Sequence, residues 1–206
     1  MTKSPDAPPR STSERAEARR QTALDLLASL RYLERWSDVG RPELVGSVRH
    51  GLVVARDVDV EVSVDALDVA ASFAVIAEVA ADRRVTRALF RNEADERGWL
   101  YWEVVARGDD GKEWTIETYV SGPNDRYAGW SAEFARALGD VLTDDARETI
   151  LVLKESLAGD PDYRAMDVYR AVLEAGVGTR EELRSWRATH GSTELVRWDP
   201  ASARSG

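Results

Sequence analysis

Apolar residues recur along this chain with two different periods. Between Glu14 and Trp36, Leu26, Leu27, Leu30 and Leu33 fall at helical spacing on one face, which predicts a first helix. Gly40-Arg41-Pro42 breaks it. A period of two follows. Glu43 to Val48 reads as a short strand, and Asp57 to Val64 alternates strictly: Val58, Val60, Val62 and Val64 on one side, Asp57, Asp59, Glu61 and Ser63 on the other. Asp65 is placed to cap a helix with a stripe of Val69, Phe73, Ile76 and Ala80. Val85 to Phe90 predicts another strand. Trp99 to Arg107 and Lys112 to Val120 flank Gly108-Asp109-Asp110-Gly111 as the two arms of a hairpin.

After Gly122-Pro123-Asn124 the period returns to helical. Helices are expected over Asp125 to Leu138, Asp144 to Leu157 and Asp160-Pro161 to Gly176. A last one is opened by a capping box of Thr179 and Glu182. This order predicts an α+β fold: a mixed sheet flanked by helices, followed by a helical extension. The expected divisions are a tail over 1–13, a sheet-bearing domain over 14–122, a helical region over 123–195 and a second tail over 196–206.

Composition narrows the picture. The 206 residues carry a formal charge of −9, which opposes long-range attraction of nucleic acid but leaves room for a local anion site. There is no cysteine, which excludes disulfides and thiolate metal sites and suits a reducing cytoplasm. The proline-rich, charged first twenty residues have no apolar stretch of signal-peptide type. No segment is long and apolar enough to span a membrane, so no membrane partner is expected.

The candidate chemistry lies in Gly46-Ser47-Val48-Arg49-His50-Gly51 and in Asp57-Val58-Asp59. Asp57 and Asp59 leave the same strand face about 7 Å apart along the backbone, a spacing from which both can ligate ions over the sheet. Magnesium favours such carboxylates together with phosphate oxygens. Gly46, without a Cβ, lets a phosphate approach the backbone. Ser47 offers a hydroxyl and an N–H at the start of a short helical turn. Gly51 lets the chain turn back toward the second strand.

These residues resemble the nucleotidyltransferase superfamily that includes the DNA polymerase beta-like and aminoglycoside nucleotidyltransferases. That pattern is an apolar residue, Gly, Gly or Ser, a gap, then Asp, an apolar residue, and Asp or Glu. Here it reads Val45-Gly46-Ser47, nine residues, then Asp57-Val58-Asp59-Val60. The direct match covers about fifteen residues, and the order of elements extends it from Gln21 to Ser121.

The resemblance implies two Mg2+ ions and a nucleoside triphosphate, with ATP the expected one. It also implies a third carboxylate on a later strand that binds a metal or serves as base. Glu103 and Glu117 are the candidates. A hairpin centred on Asp109-Asp110 without a bulge puts them on opposite faces, and Glu117 is chosen because it shares its face with Thr115 and Tyr119. The expected metal set is thus Asp57, Asp59 and Glu117, with Gly46, Ser47 and Lys154 toward the nucleotide. Lys154, on the edge of its helix's apolar stripe, either snorkels outward or leans toward the triphosphate.

Bland roles are expected for the neighbours: Glu61 as a solvated or supporting carboxylate, His50 as a surface histidine, Arg49 and Arg56 in surface pairs. Tyr119, Trp102 and Trp130 receive no assignment. The resulting expectation is transfer of a nucleoside monophosphate to a hydroxyl of a small-molecule acceptor. The alternatives are toxin-like transfer to tRNA or protein, or a non-catalytic nucleotide-binding module of the same fold.

Overall fold

The computed structural model describes residues 11–160, 162, 164–191 and 197–205. Its centre is a mixed five-stranded sheet. The strands are β1 (Arg41–Val45), β2 (Asp57–Ser63), β3 (Val85–Glu93), β4 (Trp99–Arg107) and β5 (Glu113–Ser121), in the order β1-β2-β5-β4-β3. Only the β2–β5 pair is parallel among these. The alternation in β2 is realised as expected: Val58, Val60 and Val62 are wholly buried, while Asp57 and Asp59 are half-buried on the opposite face.

Helices α1 (Thr12–Ser29), α2 (Tyr32–Trp36) and α4 (Val69–Ala80) cover the valine face and close the main core with it. The single helix expected from Glu14 to Trp36 is divided. Arg31 takes a left-handed conformation (φ 50°), and its guanidinium pairs with Glu34. The kink turns Tyr32 and Trp36 into the core, where the Tyr32 hydroxyl lies 2.8 Å from Thr118 Oγ1.

Ser11 caps α1 in a capping box with Glu14, inside the segment expected as tail; residues 1–10 lie outside the described residues. The cap of α4 is Asp68, whose Oδ1 accepts the Ala71 N–H, and not Asp65. The buried stripe of α4 is Ser72, Val75, Ile76 and Val79, with Phe73 and Ala80 outside it. A helix apolar nearly all round does not specify its own inner face; the sheet selects it.

The C-terminal helices are α6 (Trp130–Val141), α7 (Asp144–Ser156), α8 (Ala165–Ala175) and α9 (Arg180–His190), after the short α3 (Gly46–His50) and α5 (Ala94–Arg97). They form a second core that also takes in Ala16 and Leu52. The capping box of Thr179 and Glu182 is present. Helix α6 starts later than Asp125, because that carboxylate accepts the Tyr127 N–H in a turn and Gly129 (φ 72°) precedes the first helical residue. Likewise α8 begins at Ala165; Pro161, expected to open it, is outside the described residues. In the segment expected as a second tail, Trp198 is buried against Phe134, ahead of a 3-10 turn over Pro200–Ser205. Among the described residues no helix is long and apolar enough to cross a membrane.

Candidate active site

Strand pairing assembles the site. The parallel β2–β5 register sets Asp59 directly beside Glu117 and Asp57 beside Thr115. The β4–β5 register sets Glu117 opposite Glu103. The two glutamates therefore share a face, contrary to the expectation. The loop between the arms runs over 108–112, with the Gly108 N–H bonded to the Lys112 carbonyl and Gly111 left-handed (φ 73°). One more loop residue than assumed shifts the pairing by one, and a shift of one exchanges faces.

The row across the sheet is thus Val45, Asp59, Glu117, Glu103 and Leu89. Glu117 stands on the strand next to Asp59. Glu103 is one strand further, about 5 Å away, and is paired with Arg87 at 2.7 Å. Only Glu117 combines proximity to Asp59 with freedom from an arginine partner among the described residues.

Val45 leads directly into α3. Gly46 has φ 63°, and a Cβ built on it would lie 2.0 Å from Asp59 Oδ2, so no other residue fits without displacing that carboxylate. Ser47 is buried, and Lys154 Nζ, itself 5% exposed, lies 3.3 Å from Ser47 Oγ and donates to the Leu52 carbonyl at 2.7 Å. Tyr169 is also within reach at 3.4 Å. Lys154 does not snorkel outward: its ammonium joins the Gly-Ser bend to the helical region. Gly46, Ser47, Lys154, Asp57, Asp59 and Glu117 are accordingly brought to one place.

The electrostatics follow from crowding. Burial, then the charges of Asp57 and Glu117, push the Asp59 carboxyl up to about 7, and Lys154 offsets part of this. Tyr101 donates its hydroxyl to Glu117 Oε1 at 3.0 Å. Burial and the Glu117 charge raise both Tyr101 and Tyr119, the latter to about 12, so both stay protonated. Among the described residues, no three His, Asp or Glu side chains form a preformed metal cage.

No family model and no curated protein matches the sequence. Solved structures do. Cid1, described with an RNA terminal uridylyl transferase activity, superposes with a TM-score of 0.55 at 15% identity, over 77% of this chain and 47% of that one. The chain has the nucleotidyltransferase fold. Cid1 in complex with its short product ApU gives 0.49 at 16% identity over 69% of this chain and 42% of that one. The GLD-2/RNP-8 complex gives 0.49 at 13% over 89% and 74%. The chain spans about half the length of the Cid1 structures.

Several neighbours of this nucleotidyltransferase-fold site differ from expectation. Glu61 is not solvated: 4% exposed, it accepts the N–H groups of Gly129 and Ala132 at the start of α6 and ties the helical region to the sheet. Burial raises its carboxyl. His50 is buried rather than on the surface, and burial with Arg49 and Arg147 lowers it to about 4, so it is neutral near pH 7. Arg49 and Arg56 do pair with Glu43 and Asp110. Trp102 belongs to the core, while Trp130 packs on Tyr127 and Phe134. Tyr101 was not foreseen. Its alternation with Glu103 gives its face, but its partner depends on the hairpin register.

Proposed function

We propose that this chain transfers a nucleoside monophosphate from a nucleoside triphosphate to a hydroxyl at the end of an RNA acceptor. The observation that supports it is the convergence of Asp57, Asp59 and Glu117 beside Gly46, Ser47 and Lys154. RNA is favoured over the small-molecule acceptor expected from sequence, because Cid1, which superposes with a TM-score of 0.55, is described with an RNA terminal uridylyl transferase activity.

Magnesium fits these residues. Burial, and then the charges of Asp57 on the same strand and Glu117 on the next, raise Asp59, and a divalent charge would offset that repulsion. Asp57 and Asp59 would hold it, with Glu117 as third ligand or base. Such ions complete their shell with phosphate oxygens and water. When bound, they neutralise charge at the attacked phosphorus and favour the ionised acceptor oxygen.

The remaining work belongs to the chain. Gly46 leaves its backbone open to a phosphate, Ser47 supplies a hydroxyl donor, and Lys154 adds positive charge where pyrophosphate departs. Glu117, its Oε1 held by Tyr101, receives the acceptor proton at its second oxygen. The acceptor oxygen bonds to the α-phosphorus as the bond to the β-phosphate bridging oxygen breaks.

The test is incubation of the full chain with each triphosphate, magnesium and a short oligoribonucleotide, read by intact mass and pyrophosphate release. Addition of one nucleotide mass with stoichiometric pyrophosphate is expected, and neither should appear with Asp59→Asn. Full activity of that variant would refute the assignment.

A further inference from the structure

In-line displacement requires the attacking oxygen and the departing pyrophosphate on opposite sides of the phosphorus. Ser47 and Lys154 mark the pyrophosphate side, next to β1. The acceptor must then enter across β5, β4 and β3.

That side carries a distinctive row. One step along from Asp59, Glu117 and Glu103, the pairing aligns Glu61, Tyr119, Tyr101 and Arg91. Tyr119 packs edge-on against Tyr101 and Trp99, with ring centroids 5.1 and 5.5 Å away, yet is 38% exposed. The Arg91 guanidinium lies 4.2 Å from the Tyr101 ring centroid. Arg87 and Arg97 are paired with Glu103 and Glu93, whereas Arg91 has no carboxylate partner among the described residues.

We infer that Tyr119, supported by Trp99 and Tyr101, and Arg91 form a subsite for the 3′ end of single-stranded RNA. One base stacks on Tyr119 and one phosphate meets Arg91. This rests on the proposed reaction for its direction of approach. Stacking tolerates any base, and an arginine on an aromatic face suits a nucleotide strand. Arg91 also opposes a polycationic small molecule. On a chain of charge −9, so few phosphate contacts imply short, weakly salt-dependent binding.

The test uses the full chain and a labelled hexaribonucleotide with a free 3′ hydroxyl. Binding is read by fluorescence anisotropy without triphosphate at several salt concentrations. Initial rates are measured with oligonucleotide and triphosphate varied separately. Tyr119→Ala should weaken oligonucleotide binding and raise its KM by roughly 5- to 150-fold, with triphosphate KM unchanged. Tyr119→Phe should restore both. Arg91→Gln should weaken binding and flatten the logarithmic salt slope by about 0.7.

Binding and KM within twofold of the parent in Tyr119→Ala would overturn the subsite while leaving any observed transfer standing. Tyr119-dependent binding without nucleotide addition would sink the reaction and keep the RNA site. Absence of oligonucleotide binding by the parent would also overturn the site. Both substituted side chains are exposed, and thermal melts check that the variants fold.

Discussion

Replacing Asp59 with Asn removes a charge that is both buried and crowded by other carboxylates. In the folded chain Asp59 titrates near 7, against an ordinary value of 3.8, through burial and the charges of Asp57 and Glu117. A raised folded value means that the native state holds this proton more tightly than the unfolded chain. Stability from Asp59 is therefore fully present below about pH 4. It is lost as pH rises and wholly lost above about pH 7. The shift of roughly three units corresponds to about 4 kcal/mol at about 1.4 kcal/mol per unit. At pH 5 the loss covers little more than one unit, or about 1.5 kcal/mol.

Asn keeps the shape without the charge. In the presence of a chelator, Asp59→Asn should melt above the parent at pH 8, by up to about 16 °C for a chain of this size. The gap should shrink by more than half at pH 5. Circular dichroism melts at the two pH values measure this. Magnesium should raise the melting temperature of the parent at pH 8 and have little effect on the variant. A variant less stable than the parent at pH 8, or a gap indifferent to pH, would refute the reasoning about crowding.

Gly46→Ala should destabilise the chain by about 1–3 kcal/mol, through the left-handed backbone and the clash with Asp59, and should abolish triphosphate-dependent stabilisation in thermal melts. Glu61→Ala leaves the Gly129 and Ala132 N–H groups unpaired, at a cost of about 1–3 kcal/mol. Hydrogen exchange should accelerate at those two amides before it does in β2. Tyr101→Phe preserves the packing but frees Glu117; kcat should fall about tenfold with triphosphate KM unchanged, and an unaltered kcat would exclude a positioning role. Lys154→Met should raise triphosphate KM about tenfold, since it removes the ammonium that lies beside Ser47.

The extent to which the site is legible along the chain differs from residue to residue. Gly46, Ser47, Asp57 and Asp59 lie within fourteen consecutive positions, so their mutual placement follows from a bend and a strand period. Glu117 is fifty-eight residues from Asp59. Its identification required the parallel pairing of β2 with β5 and a hairpin register that a single loop residue reverses. A hairpin loop one residue shorter would set Glu117 and Glu103 on opposite faces, but the observed register sets them on one. What separates the two is strand order and the Arg87 pair.

The chain by itself determined which side of β2 is acidic, where the Gly-Ser bend falls and roughly where the longer helices lie. These depend on neighbours a few residues apart, through alternation, helical period and caps. Tertiary structure alone decided that Lys154 turns inward, that Glu61 anchors α6, that Arg31 kinks the first helix and that Tyr101 holds Glu117. Each depends on which distant element packs against a side chain. That choice is made by burying apolar faces together, and local periodicity does not encode it.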